Sequence, residues 1–466
     1  MAPFGQISGL RDFPALILLT MSRHCSSGQR QLSGWSGMEC PVFFAIFLFL
    51  TKYFHPTTEV EGIQALRSII FAFLAVFLPQ FSLAAINHGV SVLAPVITAS
   101  SGLPPEAVGL IGGLGGFGAV WFFAANSTIL PTLGSLRSLI LGCILASLAA
   151  VTFALQNGWV GFVAAVLVGF GYAISAPAGS IILAANTPKR IWGTLFSLRM
   201  AGVPAGGAFA GLAAAVIVGQ YDWRLSLAVL IFPSFLSIIF LKFVSAEINI
   251  PERKNPFSFA SVFNPKLFLT PFQVLARVPN LATITFVSVG FAAVQGSLFT
   301  FFTTYLTDAL GFTLSLAGTL YAVVQLSSFL GRIIMGFVAD LLGSIKALLA
   351  ILGICSPFGL LVLTSLNIDE PLWILFFKCS LIGPMIASWN GLFLAEVTRV
   401  ADMGDVGEST AASTFFTFIS YMSAPLIFGF VSFYFSYHLA FAVVGCLAII
   451  SFLILIRSMF LTNAKK

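Results

Sequence analysis

Four ionisable side chains sit inside stretches that are otherwise apolar: His88, Arg199, Arg332 and Lys378. A charge at the middle of a bilayer costs at least ~2.5–3.5 kcal/mol, so each needs a reason to be there. None has an acidic counterpart at the same depth, because the 16 Asp and Glu residues fall in connections, tails or the ends of apolar runs. Fixed positive charge without a carboxylate favours an anionic ligand, since a buried cation is poorly tolerated until an anion joins it. Arginine suits a carboxylate because its planar fork can hold both oxygens. Arg199, followed by a run of small residues, is therefore a candidate for substrate binding or gating. Plainer roles stand beside these. Lys378 is near enough to Pro371 to snorkel to the surface, and Arg332 is placed to pair with Asp340. His88 is the one intramembrane group that titrates near neutral pH and so the candidate for a coupling proton. Asn87, Gln295, Gln325, Trp389 and Asn390 would complete a polar and aromatic lining, although uncharged polar groups in membrane spans also serve as ordinary interhelical hydrogen bonds.

The elements that must position these residues follow from composition. Apolar residues make up 58% of the 466 and charged ones 8%, with a mean hydropathy of +1.02; a soluble domain carries roughly 25% charge. The chain reads as an all-α membrane protein of about 12 transmembrane helices, each about 20 residues long. The expected spans are 68–97, 107–129, 137–156, 159–186, 193–218, 225–244, 280–306, 312–337, 344–366, 371–394, 411–432 and 437–460. With the N-terminus inside, the even-numbered connections hold Arg137, Lys189, Arg190, Lys242, Lys266, Arg277, Lys346 and Arg399. This asymmetry predicts both termini in the cytoplasm, and the expected location is the plasma membrane, or the inner membrane in a bacterium.

A charged, Pro-containing connection at 245–279 divides the membrane region into bundles at 67–244 and 280–461, with a short tail at 462–466. The two look related. At an offset of 209, Gly102 matches Gly311, Gly134 matches Gly343, and the run LGSLRSL matches LGSIKAL, with Arg137 against Lys346. Two pseudo-symmetric six-helix bundles with a site between them are the expected architecture. Residues 1–66 fit no span and read as a cytoplasmic or interfacial extension, without the ordered features of a signal peptide.

Gly331-Arg332, followed by Gly336, Asp340, Gly343 and Lys346 at their spacing, resembles the signature of the major facilitator superfamily between helices 8 and 9. The resemblance implies a gating latch. In the first half Pro131 stands where the acid belongs, and Gly134 and Arg137 remain. The stretch Ser197 to Gly207 is similar to a pattern of cyanate-permease-like and related organic-anion carriers, and Trp223-Arg224 and Asn186 to Arg190 resemble further family positions.

No phosphate-cradling Gly-x-x-x-x-Gly-Lys-Ser/Thr loop, no metal-ligand spacing and no nucleophile–base pair occurs. The expectation is no enzyme, cofactor or metal, no nucleic-acid partner, and a monomer whose partners are the lipid bilayer and a small solute. The six cysteines read as packing residues. Three functions stay open: a carrier of small organic anions, with a proton as a possible coupling ion; a proton-coupled exporter of drugs or metabolites, whose usual intramembrane carboxylate is missing; and a non-transporting membrane sensor.

Overall fold

The computed structural model describes residues 59–102, 107–217, 221–245, 247–248, 264–312 and 314–463. Nearly all of the expected N-terminal extension, much of the central connection and the last residues of the tail lie outside these. Within a bilayer every backbone amide must be satisfied internally, so apolar runs of this length fold as helices. Among the described residues 12 helices are long and apolar enough to cross a membrane. Spans 1 to 6 are Leu66–Val90, Ile111–Leu133, Ser135–Phe153, Gly158–Asn186, Lys189–Ala213 and Trp223–Val244. Spans 7 to 12 are Leu281–Phe302, Thr319–Leu342, Ile345–Thr364, Leu372–Val400, Val406–Tyr434 and Tyr437–Met459. Each falls on an expected segment. Their outward faces stay apolar, as at Phe232, Leu361 and Leu426, because lipid rather than water surrounds them.

The repeat seen in the sequence has a backbone counterpart. Gly102 and Gly311 have φ of 65° and 72°, and Gly134 and Gly343 have φ of 78° and 65°. Matched glycines thus share a positive φ, which a Cβ would penalise.

Spans 4 and 10 are each broken. Span 4 is a helix Gly158–Ala173 and a second segment Ser175–Asn186; span 10 is Leu372–Ala387 and Trp389–Val400. Pro177 falls in the first turn of the second segment of span 4, where its missing amide is tolerated.

One hydrophobic cluster lies within the first half, around Ile86, Cys143 and Leu230, and another within the second, around Phe302, Leu363 and Phe441. A third runs through both halves and includes Leu130, Trp192, Ile345 and Val406, at the end that carries the basic connections. The halves therefore meet at that end. Span 5 packs on span 8 and on the second segment of span 10, while span 11 packs on span 2 and on the second segment of span 4. A Cβ on Gly391 would come 2.2 Å from Ser197 Cα, and one on Gly336 2.5 Å from Ser197 Cβ. These glycines let spans 8 and 10 press directly on span 5.

A short helix, Thr270–Arg277, precedes span 7. It buries Pro271 and Val274, and its Phe272 ring meets Phe416 of span 11 edge-on at 4.9 Å. Arg277 lies 2.8 Å from Glu408 and 3.5 Å from Asp405. The Glu408 hydrogen bond, with the Asp405 charge, holds the Arg277 guanidinium above its ordinary pKa.

Candidate substrate site

Just inside the closed end lies a cavity of about 60 Å³ between the halves. A single water needs about 10–15 Å³ by this kind of measure, so there is room for a solute of a few heavy atoms. The first half contributes Gln80 from span 1, Phe123 from span 2, and Tyr172 and Ser175 from the break in span 4. The second contributes Trp389 and Asn390 from the break in span 10, and Thr414 and Thr417 from span 11. Both broken spans thus bring residues that flank their break to the cavity.

Arg199 stands immediately behind this wall, fully buried. Its Nη2 donates to Gln80 Oε1 at 3.2 Å and to the carbonyl of Ser175, the first residue of the second segment of span 4. Its Nε and Nη1 have no hydrogen-bond partner among the described residues. The guanidinium rests on Gly179, where a Cβ would come 2.7 Å from its central carbon.

Arg332 makes the comparable contact in the other half. Its Nε donates to the Ala387 carbonyl at 3.0 Å, beside the break in span 10, and its Nη1 crosses to the Met200 carbonyl of span 5 at 2.7 Å. Asp340, the partner expected for it from the motif, is engaged elsewhere. Its two carboxylate oxygens accept the backbone amides of Gly193 and Thr194 at 2.9 and 2.7 Å. The pairing fails because the first turn of span 5 offers the acid unsatisfied amides and the positive end of a helix dipole, while broken span 10 offers the arginine a free carbonyl. Among the described residues neither Arg199 nor Arg332 forms an ion pair.

Of the other expected binding residues, Trp389 and Asn390 line the cavity. Trp389 stacks on Phe291 with centroids 5.5 Å apart, and its Nε1, like Asn390 Oδ1, is buried without a partner. Asn87 and His88 lie about 12 Å further along span 1 than Gln80, with the His88 ring against Gly207. Gln295 is buried in span 7 with Oε1 unpartnered, and Gln325 donates to the Tyr321 hydroxyl at 2.9 Å. These four are on the side of the cavity away from the closed end and do not line it. Lys378 is displaced from the site altogether. It bonds to Glu370 and to the Ser365 carbonyl at the far end of span 10, because its long stem reaches the polar boundary there.

The motif residues form the closed end. Gly336 and Gly343 admit the close approach and the turn already described, and Lys346 pairs with Glu396 at 3.6 Å. Arg399, from the same segment as Glu396, donates to the Lys189 carbonyl at 3.1 Å. On the opposite seam Gly134 makes its turn and Arg137 is exposed. Span 11 begins at Asp405 with no side-chain cap, and Asn126 donates to the Gly407 carbonyl at 3.2 Å. Gln80, Tyr172, Ser175, Thr414 and Thr417 were not singled out from the sequence. The available signal was an amide and a phenol within apolar runs, the latter just before a Ser-Ala-Pro step.

Two helical bundles closing on a central polar cavity define the scaffold of a secondary transporter. The chain belongs to the major facilitator superfamily: the profile described as Major Facilitator Superfamily matches residues 66–420. Solved structures of similar fold include the proton:xylose symporter XylE, at 14% identity and TM-score 0.67, covering 85% of this chain and 96% of that one. The E. coli fucose:proton symporter FucP gives 15%, 0.63, 83% and 98%, and the human organic anion transporter MFSD10 gives 13%, 0.65, 84% and 99%. No curated protein matches the chain in sequence. The protein is thus a multi-pass secondary transporter and not an enzyme, and its partner is a small-molecule substrate.

Proposed function

We propose that the chain carries a small organic anion, by alternating access of its two halves. One observation carries this reading: Arg199 is fully buried behind the cavity wall, with Nε and Nη1 unpartnered and no carboxylate in ion-pair reach among the described residues. Arg332, 4% exposed and bonded only to backbone carbonyls, adds to the same positive potential. The acids nearest the centre, Asp340 and Glu396, are occupied at the closed end, which weighs against a drug exporter driven through an intramembrane carboxylate. MFSD10, one of the similar folds, is an organic anion transporter. A neutral sugar is the second reading, favoured by the uncharged cavity lining of Trp389, Asn390 and Gln80; XylE and FucP are sugar symporters.

In this reading residues 245–279 form a cytoplasmic linker between the bundles. The Asp340 end faces the cytoplasm of a plasma membrane, and the protein works as a monomer. His88 is the group proposed to couple transport to protons. Uptake that stays flat from about pH 5.5 to 8, where a histidine titrates, would remove that role.

The test is uptake into proteoliposomes from a panel of labelled mono- and dicarboxylates and hexoses, with and without a pH gradient. Carboxylate uptake that falls at least about tenfold in Arg199→Ala is expected, the scale of a lost charged hydrogen bond. Hexose uptake alone, or wild-type rates in Arg199→Ala, would overturn the anion assignment.

A further inference from the structure

We infer that Gln80, oriented by Arg199, and Tyr172 beside it in the cavity wall are specificity-determining residues that present hydrogen-bond donors to the cavity. This inference rests on the anion reading and adds the residues that would discriminate the anion.

A guanidinium can only donate. Since Arg199 Nη2 bonds to the Gln80 carboxamide, the atom it meets must be the oxygen, which settles an orientation that an amide otherwise leaves open. The Gln80 nitrogen, a donor of two hydrogens, is thereby turned to the other side. Gln80 and Tyr172 both line the cavity. Arg199 and Gln80 thus form a link that runs outward from a cation, the amide polarised by the guanidinium, and the Tyr172 phenol adds a second donor in the same wall. Arg199 itself does not line the cavity, so its charge reaches the solute through Gln80.

Other hydroxyls in the wall do not compete as donors. Thr414 and Thr417 place their protons on the carbonyls of Thr410 and Ser413 in their own helix. The first-half wall is therefore donor-rich, and the group it fits is an acceptor with negative charge. A carboxylate of a few heavy atoms matches both the polarity and the space.

Gln80→Glu keeps the shape and removes the donors. The new carboxylate pairs with Arg199 and turns an oxygen to the cavity. Tyr172→Phe removes only the terminal hydroxyl. Uptake of a labelled monocarboxylate and of its carboxamide analogue is to be compared in wild type and both variants, with thermal unfolding in detergent as a control on folding. The expected result is an apparent KM for the carboxylate raised at least about tenfold in Gln80→Glu and several-fold in Tyr172→Phe. The carboxylate-to-carboxamide preference should fall in both, a change that a purely structural role would not produce. Wild-type carboxylate uptake with an unchanged KM and preference in Gln80→Glu overturns the relay and leaves the anion reading standing. A wild-type protein that takes up no carboxylate overturns the anion reading and the relay with it.

Discussion

Asp340 Oδ1 accepts the backbone amide of Gly193 at 2.9 Å, across the boundary between the halves, where a Cβ on residue 193 would come 2.6 Å from that oxygen. A side chain of span 8 thus caps the helix of span 5, and only glycine lets it come so close.

Asp340→Ala should loosen this closure. Loss of a helix cap costs about 0.5–2 kcal/mol, a shift of up to roughly thirtyfold in the closed population. A cysteine introduced at Thr414, on the cavity wall, should react faster with a polar thiol reagent applied from the Asp340 side. An unchanged rate would mean that the cap does not hold the gate.

Gly391→Val tests the packing of span 10 on span 5. The added carbons cannot fit against Ser197, so the closed end should stay apart. Spin labels at Arg190 and Lys346 should move to longer separation and uptake should collapse. Gly336→Leu should behave alike at the neighbouring contact.

Arg332→Lys keeps the charge but not the fork. A point ammonium cannot serve the Ala387 and Met200 carbonyls together. Hydrogen bonds of charged groups are worth about 1.5–3 kcal/mol, so uptake should fall roughly ten- to a hundredfold while helix content by circular dichroism stays put. Wild-type uptake would show that the bond from span 8 to span 5 is dispensable.

Lys378→Met combined with Glu370→Gln removes an ion pair remote from the cavity. Pairs of this kind contribute about 0–1 kcal/mol. Uptake within about twofold of wild type is expected, and a larger loss would return Lys378 to the site.

Arg277→Ala should weaken the docking of the short helix Thr270–Arg277 on span 11. The guanidinium is 55% exposed, so the effect should be small, about 0.2–1 kcal/mol. It should also fade in high salt, because exposed charges are screened within a Debye length of about 10 Å at 0.1 M. Thermal unfolding at two ionic strengths would show a difference between variant and wild type only at the lower one.

The twelve spans, the internal repeat and the gate glycines could be read from the sequence, because a bilayer imposes long apolar helices and because Gly134 and Gly343 mark turns that only glycine makes easily. Arg199 was legible as a buried cation without a partner acid. Its neighbours were not. Gln80 and Tyr172 look like any polar residue in a span until the fold sets them beside it. The Arg332–Asp340 pairing followed from proximity in sequence and failed for a three-dimensional reason, since each found a backbone partner of higher value in another helix. Lys378 lies where its snorkelling reading put it, because a lysine is free to reach back along its own stem to the span boundary.

The breaks in spans 4 and 10 bear on the return journey of the empty carrier. Beside each break a backbone carbonyl accepts from an arginine, Ser175 from Arg199 and Ala387 from Arg332. In the anion reading the protein thereby supplies its own stand-in for the cargo: a partial negative dipole that shadows the cationic head when no solute is aboard, and lowers the electrostatic need to be loaded before the carrier turns around.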